Sequence, residues 1–319
     1  MSLFAKGTQS ALYIGKQSAE DTQATTFFKM PFNSSSLGSS TNMTDAETIT
    51  GKRDAKRPIM GNHDVTGSIT VPLDCTTFGL YLAMGFGESY ESGIHTFTVS
   101  DEMPSFTIVQ AIPMGGITYY DVFIGCKLNS MSFEIGGDGE LTADLDIMGM
   151  KHEGTSTAPT GISGATSLGF DRIVALNAEA PNQSSSAITV AKTFSVNVDF
   201  GLDGDSYFLG ADGYRGTISE GILTATGTLN CMLKDSTLLS LASNGTETSL
   251  SIKAVGYEDT KYMQISFANI MFEEATPGIE GPRGIAVDFN YHAYSTDNTS
   301  SVTIVLKNDH TSAYYAASA

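Results

Sequence analysis

The chain has 319 residues, 35 of them Asp or Glu against 17 Lys or Arg, for a formal charge of −18. With 41% apolar residues it can bury a core, which excludes wholesale disorder, and its scarcity of bases excludes a surface that grips nucleic acid broadly through counterion release. No apolar run approaches the roughly 20 residues of a membrane-spanning helix, and the first ten residues hold no hydrophobic segment long enough for an export signal.

In chain order, the first long feature is irregular. Residues 33–65 show neither helical nor strand periodicity and are too long for an ordinary connection, so they predict a long mobile arm. The arm opens on Asn33-Ser-Ser-Ser-Leu-Gly-Ser-Ser-Thr and gathers Lys52, Arg53, Lys56 and Arg57 within six positions. Such a basic knot suits an acidic neighbour; a solvated loop accounts for it equally well.

Beyond the arm, most of the chain reads with period two. Short strands are expected near 68–73, 95–99, 105–111 and 118–124. Met131, Phe133 and Ile135 then alternate with polar neighbours, as do Leu141, Ala143, Leu145 and Ile147. Phe194, Val196, Val198 and Phe200 follow the same rule, and so do Ile285, Val287, Phe289 and Tyr291. Further strands are expected near 228–233, 249–255, 262–268 and 301–307, punctuated by Gly, Asn and Asp. One apolar and one polar face per strand is the mark of antiparallel sheets. The protein is therefore expected to be mainly β.

Two short helices interrupt the strands. Residues 76–84 put Phe78, Tyr81 and Leu82 on one face and end at Gly85, and residues 236–244 put Leu238, Leu241 and Ala242 on one face and end at Gly245. Without gaps, Gly61 aligns with Gly221, Thr66 with Thr226, Gly67 with Gly227, Leu73 with Leu233, and Thr77 with Thr237. Order and spacing agree together, which predicts a duplicated unit. The expected division is a first β domain over 1–155, including the arm, and a second over 156–319, hinged on the Gly/Ser/Thr/Pro-rich stretch Gly154–Leu168. Each domain is read as a β-sandwich or partial barrel with one short flanking α-helix.

The chemistry-bearing motifs are missing. The five histidines are scattered, and there is no His-Glu-X-X-His, no Gly-X-Ser-X-Gly elbow and no phosphate-binding Gly-rich loop ending in Lys-Ser/Thr. No enzyme activity, cofactor or metal site is expected. Asp138-Gly-Glu140 and Asp203-Gly-Asp205, the latter followed by Asp212, resemble calcium turns but lack the full loop, and read more simply as hairpin turns. Cys75, Cys126 and Cys231 are far apart and odd in number, which suits buried thiols in a reducing compartment. The polar strand faces are more informative: Asp144 and Asp146 share one, Asp199 and Asp288 occupy comparable positions elsewhere, and none of these faces carries Lys or Arg.

The segment Gly61–Gly87, with Thr66-Gly-Ser-Ile-Thr-Val-Pro-Leu-Asp followed by a helix ending at Gly85, resembles the tail tube proteins of long, non-contractile-tailed bacteriophages. A degenerate copy at Gly221–Gly245 and the strand pairs after each helix extend the resemblance from about residue 60 to 294; Lys234 and Asp235 stand where the first copy has Asp74 and Cys75. The resemblance implies a structural virion protein of the phage tail, made in the host bacterial cytoplasm. It implies trimeric rings of six similar domains, stacked head to tail around a DNA channel, with tape measure, tail-tip and terminator proteins as further partners. It implies that the arm 33–65 reaches the adjacent ring and that no membrane is engaged. On this reading Asp144, Asp146, Asp199 and Asp288 line a channel that repels phosphate. The rival readings are another self-assembling virion protein, such as a fibre or decoration protein, and a carbohydrate-binding β-sandwich, for which the absence of Trp is unfavourable.

Overall fold

A computed structural model describes residues 4–257, 260–279, 281–296 and 299–315. Strands dominate it, with two helices. The first half contains β1 (Ala11–Lys16), β2 (Phe28–Met30), β3 (Ser34–Ser35), β4 (Gly38–Thr44), β5 (Ile59–Pro72), α1 (Phe78–Gly85), β6 (Gly87–Glu91), β7 (Ile94–Thr98), β8 (Phe106–Met114), β9 (Ile117–Gly136), β10 (Thr142–Gly149) and β11 (Lys151–Thr155). The second contains β12 (Thr166–Ser167), β13 (Ile173–Ala178), β14 (Asn182–Gln183), β15 (Ser186–Ala187), β16 (Ala191–Asp199), β17 (Thr224–Met232), α2 (Thr237–Asn244), β18 (Thr248–Gly256), β19 (Tyr262–Phe272), β20 (Ala286–Ala293) and β21 (Thr303–Lys307).

Three sheets share these strands. The longest runs β4–β5–β10–β9–β16–β17–β20–β19, with β3 prolonging the β4 edge along β5. The first half of β9 leaves it to pair with β8 and β11, and β8 leads on to β1, β2 and β12. The first half of β19 likewise leaves it to pair with β18 and β21, and β21 leads on to β7 and β6. Alternation does the work: β18 buries every second residue along its length. The apolar sides meet in one continuous core that draws Ile69, Leu145, Phe133, Phe194 and Phe289 from the long sheet and Ile14, Phe106, Ile265 and Leu306 from the other two. Each such side chain contributes roughly 1.5–3 kcal/mol on burial. The sheets do not close into a barrel within one copy.

α1 differs from its expected amphipathic form, whereas α2 keeps the expected face of Leu238, Leu241 and Ala242 against the core. Every residue of α1 is buried, because the core lies on one side and the C-terminal segment covers the other: the Tyr314 ring lies against Gly79, where a Cβ would come within 2.1 Å of it. In α2 only Ala242 is fully buried. Their two terminal glycines also serve different ends. Gly245 is left-handed at φ +56°, and its N–H reaches the carbonyls of Leu241 and Ala242. Gly85 is not left-handed; it makes room for Phe200, whose Cζ would lie 2.4 Å from a Cβ there.

Asp74 opens α1. Its carboxylate accepts the Thr76 N–H at 2.6 Å, the Thr77 N–H at 2.5 Å and the Thr77 hydroxyl, all out of contact with water. Burial pushes its pKa up to about 6, against the pull of these hydrogen bonds. All three cysteines are free and buried, and burial pushes the Cys75 thiol up to about 12 and that of Cys231 up to about 11.

The arm is the largest departure from the sequence expectation. Residues 33–65 are mostly not irregular: β4 and β5 form an antiparallel hairpin joining Gly38 to Thr66 and Thr44 to Ile59, leaving 33, 36, 37 and 45–58 outside strands. The stretch Gly154–Leu168, read as a structureless hinge, contains the end of β11, a 3₁₀ turn at Ile162–Gly164 and β12, which pairs in parallel with β2.

Both halves use their elements in the same order. β5, α1, β8, β9, β10 and β11 are followed, in the second half, by β17, α2, β18, β19, β20 and β21, and the β6–β7 hairpin stands outside the series. Registers agree as well. Val65 faces Gly149 as Ala225 faces Ala293, and the Leu73 N–H donates to Leu141 as the Leu233 N–H donates to Ile285. The Ser36 hydroxyl accepts the Ser68 N–H at 2.9 Å, and the Ser195 hydroxyl accepts the Thr228 N–H at 2.9 Å. Gly67 and Gly227 precede the donors Ser68 and Thr228, and a Cβ on either would come within 2.5 Å of the carbonyl of Ser36 or Ser195.

Candidate functional site

The far side of the long sheet is mostly polar, with Met271 exposed at one edge. Thr70, Asp144, Ser132, Asn197, Thr226, His292 and Met271 form one row across seven strands. Ser68, Asp146, Ser130, Asp199 and Thr224 form the next row. Asn290 and Asp288 continue the same face of β20, opposite Thr228 and Asn230. All four aspartates singled out in the sequence are exposed, and the fold brings them onto this one face. The two rows contain no Lys or Arg.

Short polar side chains hold the carboxylates in place. The Thr70 hydroxyl donates to Asp144 at 2.6 Å, Ser130 donates to Asp146 at 3.1 Å, and the Asn230 amide donates to Asp288. Asp199 accepts the Gly201 N–H at 2.8 Å. Two further carboxylates share the face. Glu134 lies between Ser132 and Gly136 on β9, in a groove with Asp144 and Asn197. Glu273, just past β19, accepts from His292 and from the Asn290 amide, and these hydrogen bonds hold its carboxyl below the usual range. The period-two pattern already placed Glu134 on this face. Glu273 lay outside the strand expected near 262–268, and only the likeness of Ile270-Met-Phe-Glu273 to Met131-Ser-Phe-Glu134 marked it.

At one end of the sheet the β4–β5 hairpin projects past its neighbours, since β5 pairs with β10 only over Val65–Pro72. Met43, Ile49, Ile59 and Met60 are exposed on it, beside Lys52, Arg53, Lys56 and Arg57. None of these four bases pairs with a described carboxylate. Elsewhere bases are consumed internally: Lys127 holds Glu20 and Glu220, Arg172 holds Glu140, Arg215 holds Asp64, and Lys253 holds Glu179. The arm thus carries the largest cluster of available positive charge.

Arg215 fastens the root of the arm. It lies in the loop between β16 and β17, is 5% exposed, and donates to the carbonyls of Gly204 at 2.6 Å, Gly149 at 3.0 Å and Val65 at 3.3 Å, and to the Asp64 carboxylate. His63 stacks on Tyr214 of the same loop at 4.2 Å, and the His63 N–H donates to Gly213. Sequence periodicity gave no sign of this clamp. Phe208, Leu209 and Ile222 of the loop are left exposed.

The acidic turns do not gather. The Asp203 carboxylate accepts the Asp205 N–H at 3.0 Å, and Glu140 is paired with Arg172. Among the described residues no three His, Cys, Asp or Glu side chains converge as metal ligands, and no helix is long and apolar enough to cross a membrane.

Comparison with curated proteins gives no match. A protein-family model described as phage tail tube protein matches residues 7–293, nearly the whole chain.

Proposed function

The chain belongs to the phage tail tube protein family, and from that premise we propose that its copies form stacked rings enclosing a negatively lined conduit for DNA ejection. It is a structural protein of the virion tail. The observation that carries this reading is the long sheet: it has two open ends, one acidic face and no Lys or Arg in the rows that hold Asp144, Asp146 and Asp199. Open strand edges are a hazard in an isolated protein and an asset when neighbours pair with them. A conduit wall works by giving phosphate nothing to hold, and a carboxylate surface without Lys or Arg does so.

On this reading the four aspartates face the lumen, joined by Glu134 and Glu273. The two halves descend from one duplicated unit over roughly 1–155 and 156–319, so that three copies supply six similar units to a ring. The arm reaches the next ring, its bases meeting a surface of a protein whose net charge is −18. Tape measure, tail-tip and terminator proteins complete the tail, and synthesis takes place in the host cytoplasm.

Negative-stain electron microscopy of concentrated protein tests the assembly: hollow tubes of stacked rings are expected, and persistent monomers even with tail-tip nuclei would overturn it. Replacing Lys52, Arg53, Lys56 and Arg57 together by Ser tests the arm. The fold is expected to be unchanged, because all four are exposed and unpaired, while stacking is lost and rings remain. Full-length tubes from that variant would remove the arm's role.

A further inference from the structure

The long sheet contains its own template for joining two units. At its internal junction β16 lies antiparallel on the far half of β9, setting Asp199 opposite Ser130, Asn197 opposite Ser132 and Phe194 opposite Ile135. The two open ends of the sheet reproduce the two sides of that junction. At one end, Gly38 faces Thr66 and Ser40 faces Asp64, as Asn197 faces Thr226 and Asp199 faces Thr224. The shared Ser36–Ser68 and Ser195–Thr228 hydrogen bonds fix the same alignment. At the other end, β19 enters β20 with Ile270 opposite Ala293 and Phe272 opposite Tyr291, and the Glu273 N–H continues to the Asn290 carbonyl at 2.9 Å. Glu273 thereby holds the place beside β20 that Ser130 holds beside Asp146 of β10. From Glu274 to Ile279 the chain then runs on without a strand partner among the described residues.

We infer that residues 273–279 of one copy add as an antiparallel strand to β3–β4 of a second copy, in the register of the internal junction. Glu273 then lies opposite Ser40, Ala275 opposite Gly38, and Pro277 opposite Ser36. This rests on the ring reading and supplies its seam.

Local chemistry agrees with the register. Pro277 has no N–H, and a proline fits a ladder only where none is required. Opposite residues in an antiparallel pair either exchange both hydrogen bonds or neither. The Ser36 N–H already donates to Ser68 at 2.8 Å, so the Ser36–Pro277 pair is of the second kind and asks nothing of the proline. The Leu37 amide, which faces the open edge, has only the Ser35 hydroxyl at 3.3 Å. Gly38 is not left-handed, and a Cβ there would meet nothing nearer than 3.8 Å; the Gln110 amide donates to the Leu37 carbonyl at 3.3 Å and leaves that oxygen one lone pair for the added strand. A shift of one residue would bring Pro277 against Leu37 or Ser35 and turn every side chain of the added strand to the wrong face.

The test mixes two single variants, Gly38→Cys and Ala275→Cys, lets them co-assemble, and oxidises mildly before a non-reducing gel. Directly opposed residues fall within disulfide reach, and the native cysteines are too buried to interfere. A dimer-sized band that disappears with reductant is expected, about tenfold stronger than from Gly38→Cys mixed with Thr276→Cys, which points to the other face. A second pair, Ser40→Cys with Glu273→Cys, repeats the measurement if the first pair does not assemble. Tubes that form without the cross-link, or that cross-link equally in the shifted pair, overturn the seam and leave the tube intact. Wild-type protein that never assembles overturns both.

Discussion

Arg215→Met is the sharpest test of how the arm is anchored. The substitution keeps much of the side-chain volume and removes a guanidinium that serves three carbonyls and a carboxylate from a site 5% exposed. Hydrogen bonds from a charged donor are worth roughly 1.5–3 kcal/mol each, and removing one member of a buried charged network costs about 3–5 kcal/mol. The carbonyls of Gly204, Gly149 and Val65 gain water in part once the guanidinium is gone, so about 3–5 kcal/mol is the expected total, not the sum over bonds. The Asp64 carboxylate is half exposed, and Asp64→Asn is expected to cost no more than about 1 kcal/mol. Arg215→Lys lies between the two, because a single ammonium cannot reach all four acceptors. Urea unfolding gives these differences, and limited proteolysis within the loop between β16 and β17 reports whether it has come loose. A cost below about 1 kcal/mol for Arg215→Met, or equal costs for Arg215→Met and Asp64→Asn, would refute the clamp.

Asp74 binds its proton more tightly folded than unfolded, so its contribution to stability is fully present below pH 4 and is lost as pH rises through about 6. Asp74→Asn keeps an acceptor for the Thr76 and Thr77 amides, so its stability relative to wild type is expected to rise by about 2–3 kcal/mol from pH 4 to 7; a difference independent of pH refutes this. Gly85→Ala is expected to cost about 1–3 kcal/mol through contact with Phe200, and Gly245→Ala about 1 kcal/mol through its left-handed backbone. Thermal melts separate the two causes, because Gly245→Asn restores stability and Gly85→Asn does not. The pair Asp144→Lys and Asp199→Lys leaves the fold unchanged, both residues being exposed, but tubes built from it are expected to retain DNA, with a binding constant that falls steeply with salt. Wild-type tubes that bind DNA equally well would refute the lumen assignment.

The strands facing the core were legible because burial writes itself into the sequence with period two. β16, β18 and β20 are clear instances, each alternating buried residues with more exposed ones. The arm was illegible for the converse reason. Both faces of the outer β4–β5 hairpin meet solvent, so Ser39, Ser40 and Met60 obey no alternation although each is paired in the hairpin. β9 was read as two strands because its alternation slips around Gly125, at φ +69°, and Asn129, which the β10 register skips. The four aspartates could be assigned to polar faces one strand at a time. That those faces are a single face depends on β16 lying on β9, a pairing fixed by the tertiary fold and by nothing local to either strand.

The same pairing explains how the protein keeps two open edges without sticking to itself indiscriminately. One edge continues into Glu273 and Glu274 and then Pro277, and the other presents Ser34, Ser35, Gly38 and Ser39 with little side chain to hold a partner. Like charges on two such ends repel each other, and the proline forbids any ladder that would need its amide. Each edge is therefore poorly suited to a second copy of itself. The serine-rich edge bears no charge against Glu274, and it has a spent amide at the one position where the proline must fall. Mutual exclusion of like ends and acceptance of unlike ends gives a heterologous, head-to-tail contact, which closes into a ring when the rotation allows. The predicted consequence is directional: Pro277→Ala relaxes the register and should yield comparable cross-links between Gly38→Cys and both Ala275→Cys and Thr276→Cys partners, whereas the parent sequence favours the first about tenfold.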